Sequence, residues 1–426
     1  MTLEVKEGHM FILYDFIYVI IALFYLPFIL MKGKWHSGFK MRFGIIPRTI
    51  YETLNDTDTI WFHAVSVGEV LAVMGLIKKI KISFPQYQIV VSTVTQTGYK
   101  LAQSQLAKND VVIYAPLDIS FIVRWYIKVI DPKIYISAET EIWPNLFTAL
   151  ADQKIPIVQV NGRLSEKSFK NYQRIKFLLK NVLNDVTAFC MQTPADAERI
   201  IPLGVDPQKV LVIGNMKFDD LEHSMGSVKV LSYKPQDLVW IAGSTHPGEE
   251  KIVLEVFKSL QKEFPALHLV IAPRHVGRTS EIVNLIQSEG LNPVKFSEIK
   301  SGMESDSIVV VDTIGHLREL YRLATVVFVG KSLIGQGGQN IIEPAFFAKP
   351  IVVGPHMQNF KNILNLFQEA QAIVQIKDPQ ELVVEMRRLL QDPQYRKKLG
   401  ESAKSVVVKN QGATEKTFQI ISDLLS

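Results

Sequence analysis

From residue 60 onward the chain alternates short apolar, β-branched runs with longer amphipathic stretches. That switch between a two-residue and a 3.6-residue period is what parallel sheets covered by helices produce. The runs Ile60–Ala64, Ile89–Thr93, Val111–Tyr114, Ile134–Ser137, Ile157–Val160, Ala188–Met191 and Val210–Ile213 predict one series of strands. A second series follows at Val239–Ala242, Leu267–Ala272, Ile308–Val311, Val326–Val329 and Ile351–Val353. Between them, residues 218–236 lose clear periodicity, which marks a boundary. The expected architecture is therefore α/β, with two doubly wound domains spanning 32–219 and 220–426. The stretch from about 379 to 425 reads as helices closing the second domain. A length of 426 residues fits this division, because single cores stop growing near 250–300 residues.

The pattern ahead of residue 60 is different. Residues 10–31, MFILYDFIYVIIALFYLPFILM, contain Asp15 as their one ionisable acid or base apart from tyrosine. At about 1.5 Å per helical residue they can cross a hydrocarbon core of roughly 30 Å, so 1–31 is expected to be a membrane anchor helix. Residues 32–50 follow with Lys32, Lys34, Lys40, Arg42 and Arg48 and no acid. Positive charge after the apolar run is the reverse of a cleaved signal, and it places the bulk of the protein on the cytoplasmic side. Asp15 and Pro27 leave open a hairpin or an interfacial helix that does not cross. In either case the basic patch would meet anionic headgroups.

Composition narrows the classes. A hydrophobic share of 47% with 21% charged residues excludes wholesale disorder. The net charge of +5 is concentrated beside the apolar run rather than spread over a domain, which argues against a nucleic-acid partner. One cysteine, Cys190, cannot form an internal disulfide.

In doubly wound sheets ligands bind beyond the C-terminal ends of the strands, so chemistry should follow each apolar run. After Ile60–Ala64 comes Ser66-Val67-Gly68-Glu69, where Gly68 is expected to allow a sharp turn. Glu69 there can act as a general base or complement the positive end of a helix. Glu139 and Glu141 flank Thr140, a pair whose repulsion or burial can raise a pKa, or which can cap a helix. Lys217 can bring a cation to the site or be a solvated linker residue. In the second half Arg274 suits phosphate or carboxylate recognition through its planar fork, or lies on the surface. Gly315-His316-Leu317 can present backbone N–H groups to an anion. The turn 335–340, GQGGQN, precedes Ile341-Ile342-Glu343, and Glu343 can accept two ribose hydroxyls. It lacks dinucleotide and P-loop spacings, so a mononucleotide fits better. Asp56-Thr57-Asp58 precedes its strand and so lies at the wrong edge for a metal clamp. His63, His246, His275, His316 and His356 stand singly, and no catalytic metal is expected.

Taken in order, the segments 63–70 HAVSVGEV, 138–146 AETEIWPNL, 214–219 GNMKFD, 242–250 AGSTHPGEE, 272–275 APRH, 312–321 DTIGHLRELY and 337–345 GGQNIIEPA, with 349–355 KPIVVGP behind them, resemble the Kdo transferases. That family moves 3-deoxy-D-manno-octulosonic acid (Kdo) from CMP-Kdo to a lipid A precursor. The resemblance implies the glycosyltransferase B fold, with two Rossmann-like domains facing a cleft, the first binding acceptor and the second CMP-sugar. It implies inverting, metal-independent transfer in lipopolysaccharide biosynthesis, with no cofactor beyond the donor. It also implies residence at the inner membrane with the catalytic domains on the cytoplasmic face. Residue by residue, Glu69 matches the family's general base, and Glu139 and Lys217 match its transition-state stabilisers. Pro273 and Arg274, the turn Gly315, His316 and Leu317, and Asn340, Ile341, Ile342 and Glu343 match its CMP-binding segments.

The chain departs from the family pattern at Gln339, where a histidine is usual, at Val276-Gly277-Arg278, and at His316, a position often acidic. Competing readings are another nucleotide-sugar enzyme of the same fold, such as a hexosamine transferase or UDP-sugar epimerase, or a membrane-tethered nucleotide-binding scaffold.

Overall fold

The structure is a computed structural model that describes residues 14–16, 18–20, 24, 38–219, 231–299 and 307–426. Seven strands make a first sheet: β1 (Thr59–His63), β2 (Gln88–Thr93), β3 (Val111–Tyr114), β4 (Pro132–Ala138), β5 (Ile157–Gly162), β6 (Ala188–Met191) and β7 (Val210–Val212). Seven more make a second: β8 (Leu238–Thr245), β9 (Leu267–Pro273), β10 (Pro293–Lys295), β11 (Ile308–Val310), β12 (Val326–Val329), β13 (Ile351–Val353) and β14 (Val374–Gln375). The orders are β3-β2-β1-β4-β5-β6-β7 and β10-β11-β9-β8-β12-β13-β14, with every pairing parallel. Strand order therefore reverses between β1 and β4 in the first sheet and between β8 and β12 in the second. Those are the topological switch points at which such sheets bind ligands.

Two-residue alternation explains why the central strands are apolar throughout. In β1, Ile60 and Phe62 enter one apolar cluster while Trp61 enters the cluster on the opposite face. Trp61 meets Tyr135 of β4 edge to face at 5.0 Å. Truncating either fully buried ring, Trp61 or Phe62, to alanine would cost about 3–5 kcal/mol. In the second sheet Trp240 and Phe328 play the same part beneath the helix Glu249–Gln261.

Each predicted strand is present. β10 and β14, which the pattern did not predict, are edge strands of three and two residues, too short to show a period. β8 runs further than expected, through Gly243 and Ser244 to Thr245, with a register shift where Ser244 takes φ 56°. The helices after the glycine turns are short: Leu317–Leu320 and Ile342–Phe346 have four and five residues, so little helix dipole accumulates there.

The chain divides into two compact units, residues 1–220 with 411–426, and 221–410. The last helix, Ala413–Leu425, corrects the expectation that 379–425 closes the second domain, because it packs on the first unit. Phe418 and Ile421 enter the core beneath Val67–Ser83, and Asp219 accepts the N–H groups of Gly412 and Thr414 at the start of that helix. An amphipathic pattern shows that a helix needs a partner without naming which one.

The expected anchor falls mostly outside the described residues, as do 220–230 of the aperiodic stretch. Among the described residues no helix is long and apolar enough to cross a membrane. Tyr14 and Asp15, which lie within the apolar run, are tied to the first unit. Tyr14 Oη donates to Asp118 Oδ2 at 3.0 Å. Asp15 Oδ1 accepts from Asn145 Nδ2 at 2.6 Å and from Ser120 N at 3.1 Å.

Candidate active-site residues in the two units

At the first switch point, β1 is followed by Ser66, which starts the helix Val67–Ser83. Glu69, in the first turn, folds back on this start: Oε2 accepts Val65 N at 2.7 Å and Oε1 accepts Ser66 Oγ at 2.9 Å. This is close to a capping box, and it aims a carboxylate that is only 8% exposed. Gly68 is not needed for a turn, contrary to expectation. Its φ is not left-handed, and an added Cβ would meet Ser66 Oγ at an ordinary 4.0 Å.

β4 delivers the partners. Glu139, directly after the strand, is held at φ 57°, a conformation costly for a residue with a Cβ. Thr140 Oγ1 donates to Arg163 O at 2.6 Å and accepts Arg163 N at 3.0 Å, fastening this turn to the one after β5. Lys217, in the turn Met216–Phe218, lies 3.6 Å from Glu139 Oε1. Asn215 Oδ1 fixes that turn by accepting Lys217 N at 3.0 Å.

Four residues singled out in the sequence, Glu69, Glu139, Glu141 and Lys217, thus come together. Burial raises the pKa of Glu69; the Val65 N–H pulls it down, Glu139 adds to the rise, and Ser66 and Lys217 oppose it. Glu141 is pushed up to about 7 by burial and then by the charges of Glu69 and Glu139. The result is a carboxylate cluster beside one cation that can take up a proton near neutral pH.

His63, at the end of β1, has another role. Ser92 Oγ donates to Phe62 O and so accepts from Trp61 Nε1 and from His63 Nδ1, at 2.8 and 2.9 Å. Burial lowers its pKa to about 3, so it is a neutral core residue.

At the second switch point the organising group is Glu249, the first residue of its helix and fully buried. Its carboxylate accepts His246 N at 2.9 Å, Lys331 N at 2.7 Å, Ser332 N at 3.0 Å and Leu333 N at 2.9 Å. It therefore ties the turn after β8 to the turn after β12. Their closeness requires a glycine at 330, where a Cβ would lie 2.6 Å from Thr245 Cα and 2.7 Å from Ser244 O. Glu250 beside it accepts Thr245 Oγ1 at 2.8 Å and both arms of Arg278 at 2.8 and 3.2 Å.

The expected nucleotide contacts lie around these turns. Arg274 is exposed, directly after β9, with its N–H donated to Thr245 O at 3.0 Å. Asn340 Oδ1 accepts Ile342 N at 3.0 Å and its Nδ2 donates to Glu343 Oε1 at 3.1 Å, so the two side chains are mutually oriented. Burial raises the pKa of Glu343, opposed by Arg318, Asn340 and Arg274 in that order. Gly337 and Gly338 hold φ 120° and 72°, which lets the turn lie against Asn359 and Met357. Gly315 is exposed at φ 94° and Pro273 is buried, while the His316 ring stands 5.3 Å from Phe296. Asp58 pairs with Lys133 at 3.0 Å at the opposite edge of the first sheet. Among the described residues no group of three His, Cys, Asp or Glu could hold a metal ion.

The sequence reading passed over the roles of Glu249, Glu250 and Arg278. The available signal was two acids in succession at a helix start just after a strand, where backbone N–H groups need acceptors.

Against known proteins, residues 37–220 match the family described as 3-Deoxy-D-manno-octulosonic-acid transferase (kdotransferase), and 249–406 match Glycosyl transferases group 1. A 3-deoxy-D-manno-octulosonic acid transferase of Haemophilus influenzae is 31% identical over 374 residues, which are 86% of this chain and 87% of that protein. A bifunctional glycosyltransferase/methyltransferase of Fusobacterium nucleatum is 34% identical over 87% of this chain, and the match spans 58% of that longer protein. Among solved structures, a UDP-GlcNAc 2-epimerase from Neisseria meningitidis superposes with TM-score 0.59 at 13% identity, covering 86% of this chain and 99% of that one. That likeness shows the two-domain parallel-sheet fold alone.

Proposed function

The chain belongs to the Kdo transferase family and is a glycosyltransferase of lipopolysaccharide biosynthesis, and we propose that Glu69 is the base with which it transfers Kdo from CMP-Kdo to a lipid A precursor. The observation that carries this reading is a carboxylate raised above its ordinary range by burial and fixed by two local hydrogen bonds. In the proposed step Glu69 takes the proton of an acceptor hydroxyl as its oxygen attacks the anomeric carbon of Kdo. The bond to the CMP phosphate breaks with inversion, and its electron pair leaves with the phosphate. Arg274 offsets the departing charge, Asn340 and Glu343 orient the nucleotide, and Lys217, braced by Glu139, stabilises the transition state. Pro273 and the turn 315–317 contribute backbone shape and N–H groups. These cations supply the charge offset in the proposed step.

We further propose that the first unit rests on the cytoplasmic face of the inner membrane. Phe16 and Phe24 of the N-terminal segment are 63% and 82% exposed, and Phe121 is 70% exposed. Trp125, stacked on Tyr51 at 6.1 Å, and Phe43 and Ile45 are exposed as well, with Arg48, Arg124 and Lys128 exposed among them. Aromatic and basic residues mixed on one unit suit an anionic bilayer, and tethering would concentrate the enzyme on its lipid acceptor. The Asp15 contacts hold that residue against the unit.

The test is incubation of the protein with CMP-Kdo and a tetraacylated lipid A precursor, followed by lipid mass analysis, with vesicle sedimentation alongside. The reading expects Kdo increments on the lipid and binding to anionic but not neutral vesicles. An unmodified lipid would refute the transfer, and equal recovery with and without vesicles would refute the membrane contact.

A further inference from the structure

The second switch point holds more cationic chemistry than nucleotide binding uses. β9, β8 and β12 are neighbours in the sheet, and their C-terminal ends carry Arg274 and His275, His246, and Lys331. We propose that His246 and Lys331, placed together by Glu249, bind the carboxylate of the donor's sugar acid, at a subsite separate from the Arg274 and Glu343 contacts. This rests on the reading of the donor as CMP-Kdo, which carries two anions, a phosphate and a sugar carboxylate.

Placement is the first argument. Glu249 accepts the backbone N–H of both His246 and Lys331, so one buried carboxylate sets the spacing of the two residues. Gly330 lets the two turns lie in close contact, and Ser244 and Lys331 are both held at φ 56°. Left-handed conformations at residues with a Cβ persist where the surroundings impose them, and they concentrate at ligand clamps.

Chemistry is the second argument. His246 Nε2 is buried and has no hydrogen-bond partner among the described residues. Its ring stands 5.8 Å from that of His275. Lys331 has no ion-pair partner among the described residues, and its charge, after burial, holds the proton affinity of His246 down. The hydrogen bonds of the nearby acids go elsewhere: Glu249 accepts four N–H groups, and Glu250 accepts from Arg278 and Thr245. What remains is an ammonium and an imidazole with no bonded anion among the described residues. That set can take one anion of the donor, which leaves the fork of Arg274 for the other.

The test compares CMP-Kdo with CMP, which has the nucleoside and phosphate but no carboxylate. For wild type, Lys331→Met and His246→Asn, KM and kcat for CMP-Kdo and the inhibition constant of CMP are measured. Each substitution is expected to raise KM for CMP-Kdo about tenfold while the CMP constant stays within about twofold and kcat within about threefold. Glu249→Gln is expected to show the same selective rise in KM, as a positioning residue should. Equal weakening of CMP and CMP-Kdo would assign these residues to the phosphate, and an unchanged KM would remove them from the site; either result overturns the proposal. Failure of the wild type to use CMP-Kdo would instead overturn the donor reading, and this inference with it.

Discussion

The two switch points begin alike and end opposite. In each, the turn after the first strand leads into a helix with a glutamate in its first turn, Glu69 in one unit and Glu249 in the other. Glu69 accepts one backbone N–H and one hydroxyl, and it keeps a little solvent contact. Glu249 accepts four backbone N–H groups and has none. The difference teaches how a fold turns one residue type into a reagent or a scaffold. A carboxylate with spare lone pairs beside other acids can take a proton, whereas one saturated by N–H groups can only hold turns in place. The surroundings follow: acids gather around Glu69, and cations around the turns that Glu249 ties.

This contrast can be broken at several points. Glu69→Ala should lower turnover about 10³-fold with an unchanged circular dichroism spectrum and at most about 1 kcal/mol lost in stability, because the proposed base goes and only a helix-start contact goes with it. Glu249→Ala should do the reverse, removing about 4 kcal/mol of stability in urea unfolding through four stranded backbone N–H groups. If Glu249→Ala melted like wild type, the scaffold half of the comparison would fail. Arg274→Ala should raise the KM for CMP-Kdo about 30-fold with little change in stability, since its side chain is exposed.

The smallest effect is the most informative about charge. Glu141 is pushed up to about 7, above its unfolded range, so its contribution to stability is present at low pH and lost as pH rises through about 7. Glu141→Gln should therefore stabilise the fold above pH 7, by roughly 1 kcal/mol after allowing for its solvent contact, and not near pH 4. It should leave the acidic limb of kcat/KM nearly in place, because the last of the carboxylates to ionise is still uncharged when Glu69 gives up its proton. A limb displaced by a full pH unit would contradict that order of ionisation.

Much of this was legible in the chain. Central strands such as β1 and β12 announced themselves because burial on both faces demands unbroken apolar runs. Glu69, Glu139 and Lys217 were legible as residues following strands; Glu69 and Glu139 meet because β1 and β4 are neighbours, whereas Lys217 follows the edge strand β7 and reaches Glu139 only because the chain turns back across the sheet. Other features were hidden because they depend on distant partners. The helix Ala413–Leu425 carries an amphipathic face that fits either unit. The work of Glu249 is visible only when residue 331 is brought beside residue 246. Gly68 misled in the other direction, since a glycine beside a strand end suggests a strained turn that an ordinary helix start does not need.

The central claim is that the acidic switch point does the chemistry while the basic one holds the donor. It is tested most directly by measuring, in Glu69→Gln, both the dissociation constant for CMP and single-turnover transfer of Kdo to the lipid acceptor. The account predicts CMP binding within about twofold of wild type and transfer slowed about 10³-fold. Transfer at the wild-type rate, or loss of CMP binding in step with activity, would contradict it.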